Sequence, residues 1–74
     1  MSAATSKKTS ELTRRERECL LHSARGHTAA KISVLLEINY NTVAFHLTNA
    51  CRKLDAANRT EAVAIAITRG LIQP

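Results

Sequence analysis

The sequence predicts an all-α domain built from four helices, and three observations support that prediction. Apolar residues recur at helical spacing in four segments, and no segment shows the alternation of a strand. A Thr or Asn residue suited to N-capping precedes each segment, and glycine closes the first and the last. A chain of 74 residues makes one domain, and its apolar content of 45% is that of an ordinary globular protein.

The first predicted helix covers residues 14 to 25. Thr13 and Glu16 have the spacing of a capping box at its start, and Gly26 follows its end. The apolar residues of its inner face are Cys19, Leu20 and Ala24. Residues 1–10, which precede a domain of residues 11–74, are small, polar and basic, so we expect a disordered tail or the remnant of a linker.

Two more helices are predicted over residues 29 to 36 and 40 to 54, with Thr28 and Asn39 as their N-caps. The residues expected to point inward are Ile32, Leu35 and Leu36 in the shorter helix, and Val43, Leu47, Ala50 and Leu54 in the longer one. A two-turn helix, a short connector and a longer helix form the helix-turn-helix layout, in which the second helix of the pair enters the major groove of DNA.

The outward face of this third helix predicts base contacts. It carries Asn41, Ala44, Phe45, Thr48 and Arg52, and the helix has no acidic residue. Asn and Thr can bond to base edges, and Phe or Ala can touch a thymine methyl group. With Thr28 expected at a backbone phosphate, the predicted DNA contacts are Thr28, Asn41, Thr42, Ala44, Phe45, Thr48, Asn49, Arg52 and Lys53.

A fourth helix is expected to open with Asn58 and Glu61, to run to Arg69 and to stop at Gly70. It is apolar nearly all round over residues 62–67, so one face covers the core and the other is left exposed. An exposed apolar face of this kind marks a partner surface, and a symmetric dimer would present two reading helices to successive half-sites. The predicted dimer-interface residues are Glu61, Ala64, Ile65 and Thr68.

Composition narrows the function classes. The net charge of +5 favours phosphate backbones, although an anionic membrane would attract it too. With Tyr40 and Phe45 as the aromatic residues, a large ligand pocket is hard to build. Two cysteines give no disulfide framework, and we find neither a signal peptide nor a membrane-spanning run, so we expect a cytoplasmic protein that binds double-stranded DNA and no membrane.

The sequence predicts neither a metal site nor catalysis. Cys19 and His22 have ligand-like spacing, but structural zinc needs four ligands in paired clusters. There is also no glycine-rich phosphate loop, no paired acids placed for a cleft and no nucleophile elbow. We therefore expect a protein that is not an enzyme and has no cofactor.

From Leu12 to Ile72, about four-fifths of the chain, the sequence resembles the LuxR-type (GerE-like) helix-turn-helix DNA-binding domain. The matching pieces, in order and at the right spacing, are LTRRERE at 12–18, Gly26-x-Thr28, Thr42-Val43-x-Phe45-His46-Leu47, Arg52-Lys53-Leu54, Asn58 to Val63, and Gly70-Leu71-Ile72. The resemblance implies four helices, the third reading DNA and the fourth dimerising. It makes Thr28 a phosphate contact, places Ala44, Phe45 and Thr48 at the groove, and gives His46 a structural role.

Within that family the pattern looks most like the receptors of acyl-homoserine lactones used in quorum sensing, which carry a separate N-terminal sensor domain. Several positions depart from the family pattern: Lys31 replaces Glu, Glu37 replaces a turn Gly, and shorter residues at Ala44 and Thr48 replace long polar ones. Losing long donors at the last two positions predicts weaker, shape-based or altered recognition of DNA.

Two functions remain open at this stage. One is a dimeric transcriptional regulator that binds operator DNA. The other is an anti-activator that binds no DNA and heterodimerises with a full-length LuxR-type regulator through the fourth helix. The contact groups at Asn41, Phe45, Thr48 and Arg52 favour the DNA reader, because an anti-activator needs no such groups.

Overall fold

A computed structural model describes residues 12–74, which form four α-helices and no strand. The helices are α1 (Arg14–Ala24), α2 (Ala29–Leu36), α3 (Tyr40–Leu54) and α4 (Arg59–Thr68). The predicted all-α architecture is confirmed, with the expected bounds for α2 and α3. The helices α1 and α4 each end one residue earlier than predicted. The tail predicted over residues 1–10 lies outside the described part of the chain.

All four helices begin at the side-chain caps that the sequence indicated. At α1 the capping box is complete, because Glu16 N–H donates to Thr13 Oγ1 at 3.1 Å and Thr13 N–H donates to Glu16 Oε1 at 2.9 Å. The N-cap oxygens of Thr28, Asn39 and Asn58 likewise accept a backbone N–H from the first turn of α2, α3 and α4. These bonds satisfy donors that a helix start leaves without intrahelical partners.

The sharp turns after α2 and α3 use a left-handed backbone at residues that are not glycine. Glu37 has φ 57° and Asp55 has φ 55°, whereas the turns after α1 and α4 place Gly26 and Gly70 at positive φ. Left-handed backbone costs an L-residue on the order of 1 kcal/mol. The turn at Glu37 lies inside the helix-turn-helix pair, so it fixes how α3 leaves α2.

The core lies where α1, α3 and α4 meet, with α2 packed on α1 and α3. Its buried apolar side chains are Leu12, Cys19, Leu20, Ile32, Val43, Leu47, Ala50, Leu54, Ala62, Ala66 and Ile72. The inward stripe predicted for α3 is confirmed. The inward position predicted for Leu35 is wrong: it is 43% exposed, because α2 packs on two neighbours only and buries Ile32 fully and Leu36 in part.

Candidate nucleic-acid interface

Helix α3 separates its side chains into a buried stripe and an exposed one. Val43, Leu47, Ala50 and Leu54 hold the helix against the core, so the rows between them turn away from it. Fifteen residues at 1.5 Å each give a rod about 22 Å long. A rod of this length can lie in a major groove about 12 Å wide and offer side chains to several base pairs.

The exposed stripe carries short polar groups around one aromatic ring. Asn41, Thr42 and Thr48 are exposed, and Ala44 is half-buried between them. Phe45 is 62% exposed, and its nearest ring neighbour is that of half-buried His46, with centroids 6.1 Å apart. The structure thus brings these predicted DNA-contacting residues together on one face. This surface is called the reading face below.

Two neighbouring basic side chains near the end of α3 have different surroundings. Arg52 is exposed, and its Nη1 donates to Asn49 Oδ1 at 2.9 Å on the same helix. Lys53 points toward α1 instead, where its Nζ lies 2.9 Å from Oε1 of the buried Glu16. Arg52 therefore presents its charge at the rim of the reading face, whereas the charge of Lys53 is directed into the protein.

Thr28 lies outside the reading face, in a separate groove. Its Oγ1 accepts Lys31 N–H at 3.2 Å, so the hydroxyl caps α2. The groove is lined by the α1–α2 turn and the start of α4, including Gly26, His27, Arg59 and Thr60. Sequence reasoning missed Arg59, because it stands far along the chain from Thr28 and only folding brings the two together.

The exposed side of α4 forms a shallow groove. It is lined by Glu61, Ala64, Ile65, Thr68 and Arg69, so all four residues predicted for a dimer interface share one surface. Oε1 of Glu61 accepts Ala57 N–H at 2.6 Å, which ties this carboxylate to the start of its own helix. Of the other lining residues, Ala64 and Ile65 are apolar, Thr68 is short and polar, and Arg69 is long and charged. The apolar and short side chains would allow close approach of a second helix.

The residues weighed as metal ligands are not gathered into a site. Within residues 12–74 no group of three or more His, Cys, Asp or Glu side chains is placed to hold a metal ion. Cys19 is fully buried and Cys51 half-buried, and burial raises the pKa of both thiols. Both therefore remain protonated at neutral pH, whereas metal binding and nucleophilic attack need the thiolate.

A histidine pair joins α1 to the turn before α2. The rings of His22 and His27 stack with centroids 5.6 Å apart, and the Nδ1 atoms of both are buried without a hydrogen-bond partner. Burial lowers the pKa of His22, and the neighbouring His27 and Arg25 lower it further. His22 is therefore held as the neutral imidazole near neutral pH.

None of the helices in residues 12–74 has the length and apolar character required to cross a membrane.

Comparison with known proteins places this fold in a family. Residues 10–66 match the family model for bacterial regulatory proteins of the luxR family. Among solved structures, the transcription factor GerE superimposes with a TM-score of 0.80 at 32% identity, covering 84% of this chain and 92% of GerE. Escherichia coli SdiA superimposes with the same score at 39% identity, covering 86% of this chain and 27% of SdiA.

Sequence comparison with named transcriptional regulators points to the same family. The chain is 61% identical over 62 residues to the quorum sensing-dependent transcriptional regulator RpaR of Rhodopseudomonas palustris, covering 84% of this chain and 26% of RpaR. It is 40% identical over 72 residues to the transcriptional activator LuxR of Aliivibrio fischeri, covering 97% of this chain and 29% of LuxR. The chain spans about a quarter of the length of these relatives. By the family match and by the fold shared with GerE and SdiA, the chain belongs to the LuxR family of bacterial regulatory proteins.

Proposed function

We propose that this chain is a DNA-binding transcriptional regulator domain that binds operator DNA as a homodimer, with α3 in the major groove. The observation that carries the proposal is the reading face. It is an exposed stripe of short polar side chains and one aromatic ring on a helix whose other side packs in the core. Its relatives named as transcriptional regulators support the same function.

The proposed contacts divide by chemistry. Asn41 and Thr48 face base edges, to which their polar groups can hydrogen-bond, while Ala44 and Phe45 can touch a thymine methyl group. The residues proposed to contact the sugar-phosphate backbone are Thr28, Thr42, Asn49 and Arg52. Arg59 joins them, since it lies with Thr28 in one groove and carries a permanent positive charge. Lys53 is the exception among the predicted contacts, because its ammonium lies on Glu16.

A dimer through α4 would supply the second reading helix. The groove of Ala64, Ile65 and Thr68 offers apolar surface that a second copy can cover in a two-fold contact. A two-fold dimer binds two half-sites about one helical turn of DNA apart. The α4 groove alone does not separate this function from heterodimerisation with a full-length regulator of the same family, which would use the same surface.

Titration of fluorescent duplexes over a salt series tests the proposal. One duplex is selected by the protein from a random-sequence library, and the other is a random duplex of equal length. We expect the logarithm of affinity for both duplexes to fall linearly with the logarithm of salt concentration, with the selected duplex bound at least about 10³-fold more tightly. Equal affinity for both duplexes contradicts operator recognition, and an absence of binding favours the heterodimerising function.

A further inference from the structure

An ion pair connects the end of the reading helix to the start of α1. Lys53 Nζ lies 2.9 Å from Glu16 Oε1, across 37 positions of sequence. The Glu16 side chain is only 3% exposed, while that of Lys53 is 34% exposed. This hydrogen bond joins α3 to α1 directly, side chain to side chain.

The same carboxylate oxygen completes the capping box of α1. Glu16 Oε1 accepts the N–H of Thr13 at 2.9 Å as well as the ammonium of Lys53. One buried atom therefore holds both the first turn of α1 and the last turn of α3. A change in this pair alters the contact between the two helices at the point where α3 leaves the core.

The burial of Glu16 makes this pair costly to separate, although Lys53 itself is partly exposed. A carboxylate without a partner in the interior carries a large desolvation penalty, and removing one member of a buried pair is strongly unfavourable. A DNA phosphate that drew Lys53 outward would leave the buried Glu16 carboxylate without its cationic partner, with the Thr13 N–H still bonded to it. Arg52, one residue earlier, is exposed and can approach a phosphate without breaking any contact to the core.

We infer that Lys53 is a positioning residue for the reading helix and keeps its ion pair with Glu16 in the DNA complex. Of Arg52 and Lys53, only Arg52 then neutralises a phosphate. This inference rests on the proposed function. It assigns to Lys53 a role in the angle of α3, and hence in sequence discrimination, in place of the DNA contact that the sequence predicted.

The salt dependence of binding separates the two roles. Each phosphate neutralised contributes about 0.9 to the slope of log affinity against log salt concentration. The double variant E16Q/K53M removes one charge of each sign, so the net charge stays at +5, and the side-chain amide introduced at position 16 can still accept the N–H of Thr13. We expect its slope to equal that of the wild-type chain, while Arg52→Gln lowers the slope by about 0.9.

The same titrations also measure sequence discrimination, as the ratio of the affinities for the selected and random duplexes. We expect E16Q/K53M to lower the ratio of selected to random duplex affinity by about tenfold, the loss typical of one disturbed base contact. Arg52→Gln is expected to lower the affinity for both duplexes by the same factor. A slope that falls by about 0.9 in E16Q/K53M overturns the inference, as does an unchanged slope with an unchanged ratio. Wild-type chain that binds neither duplex contradicts the proposed function instead.

The ion pair can also be followed in the wild-type chain, so this test does not depend on whether a variant folds. In protein labelled with ¹⁵N, the Lys53 side-chain ammonium resonance is followed by NMR as the selected duplex is added. A resonance that keeps its position and its correlation to Glu16 supports retention of the ion pair. Loss of that correlation with a new coupling to DNA phosphorus overturns it.

Discussion

Phe45 exposes 62% of its surface in a chain with only two aromatic residues of the Phe, Tyr and Trp class. Such a ring in water gains nothing from folding, and an apolar contact in a partner would explain its place. The only methyl group on a base edge in the major groove belongs to thymine. We therefore predict that Phe45 gives the reading face a preference for thymine over bases without that methyl group.

Replacing thymine with uracil in the selected duplex measures this preference directly. Removing one buried methyl group costs about 0.8 kcal/mol, so one substituted position lowers wild-type affinity about fourfold. The variant Phe45→Ala should bind thymine and uracil duplexes equally, because the ring that meets the methyl group is absent. Thr42→Ala serves as a control that keeps the ring. A fourfold difference that persists in Phe45→Ala assigns the methyl contact to another residue.

We expect the stability of the fold to depend on pH through His22. Burial lowers its pKa in the folded chain, with His27 and Arg25 acting in the same direction and Glu18 opposing them. As pH falls below about 6.5, the unfolded chain takes up a proton on this residue before the folded chain does. The folded state is thus favoured above that pH and loses stability as the pH drops toward the lowered value.

Thermal unfolding between pH 7.5 and 5.5 tests this direction. We expect the melting temperature of the wild-type chain to decline on acidification, and the decline to be smaller in His22→Gln. Leu35→Gln, at a 43% exposed position on α2, removes no titratable group and is a control that should keep the wild-type decline. If His22→Gln and the wild-type chain respond identically to pH, titration of His22 does not contribute.

The turn between α2 and α3 uses a backbone conformation that its residue does not favour. Glu37 has φ 57° and ψ 44°, and its N–H donates to Val34 O at 3.2 Å as the helix ends. Glycine adopts this conformation without the clash that a Cβ creates, and asparagine tolerates it better than most residues do. The turn that sets the reading helix is therefore held in place at a cost in stability.

Glu37→Gly should relieve that strain. We expect the free energy of unfolding to rise by up to about 1 kcal/mol, with Glu37→Asn giving a smaller gain. Glu37→Ala retains the Cβ and should give none of this gain, which makes it the control. Urea denaturation of the three variants measures the effect. A gain in Glu37→Ala equal to that in Glu37→Gly would trace the effect to the lost charge.

The starts of the helices could be predicted because local chemistry determines them. The N-cap residues Thr13, Thr28, Asn39 and Asn58 bond within a few positions of themselves, so sequence spacing carries the information. The exposure of Leu35 could not be predicted, since helical spacing does not say how many neighbours a short helix has. The Glu16–Lys53 pair and the groove that joins Arg59 to Thr28 also depend on tertiary packing.

Two surfaces of residues 12–74 carry the proposed function. The reading face lies on α3, and the shallow groove of Ala64, Ile65 and Thr68 lies on α4. A single reading helix contacts only a few base pairs, so operator affinity in the proposed function requires the second copy that the α4 groove would supply. Assembly and DNA affinity should therefore fall together when this groove is changed.

Ile65→Glu places a charge in the groove. We expect sedimentation to shift toward the monomer and affinity for the selected duplex to fall at least about tenfold, because a buried unpaired charge opposes the contact. Val34→Glu introduces the same charge at a 69% exposed position on α2 and should leave the association state unchanged. Sedimentation of Ile65→Glu identical to the wild-type chain would remove α4 from the interface.

The central claim, that α3 reads base edges in the major groove, is tested most directly by methylation interference on the selected duplex. Dimethyl sulfate methylates guanine N7 in the major groove and adenine N3 in the minor groove. We expect the bound fraction to be depleted in N7-methylguanine at two half-sites about one helical turn apart. Depletion of N3-methyladenine alone, or of neither base, would contradict a reading helix in the major groove.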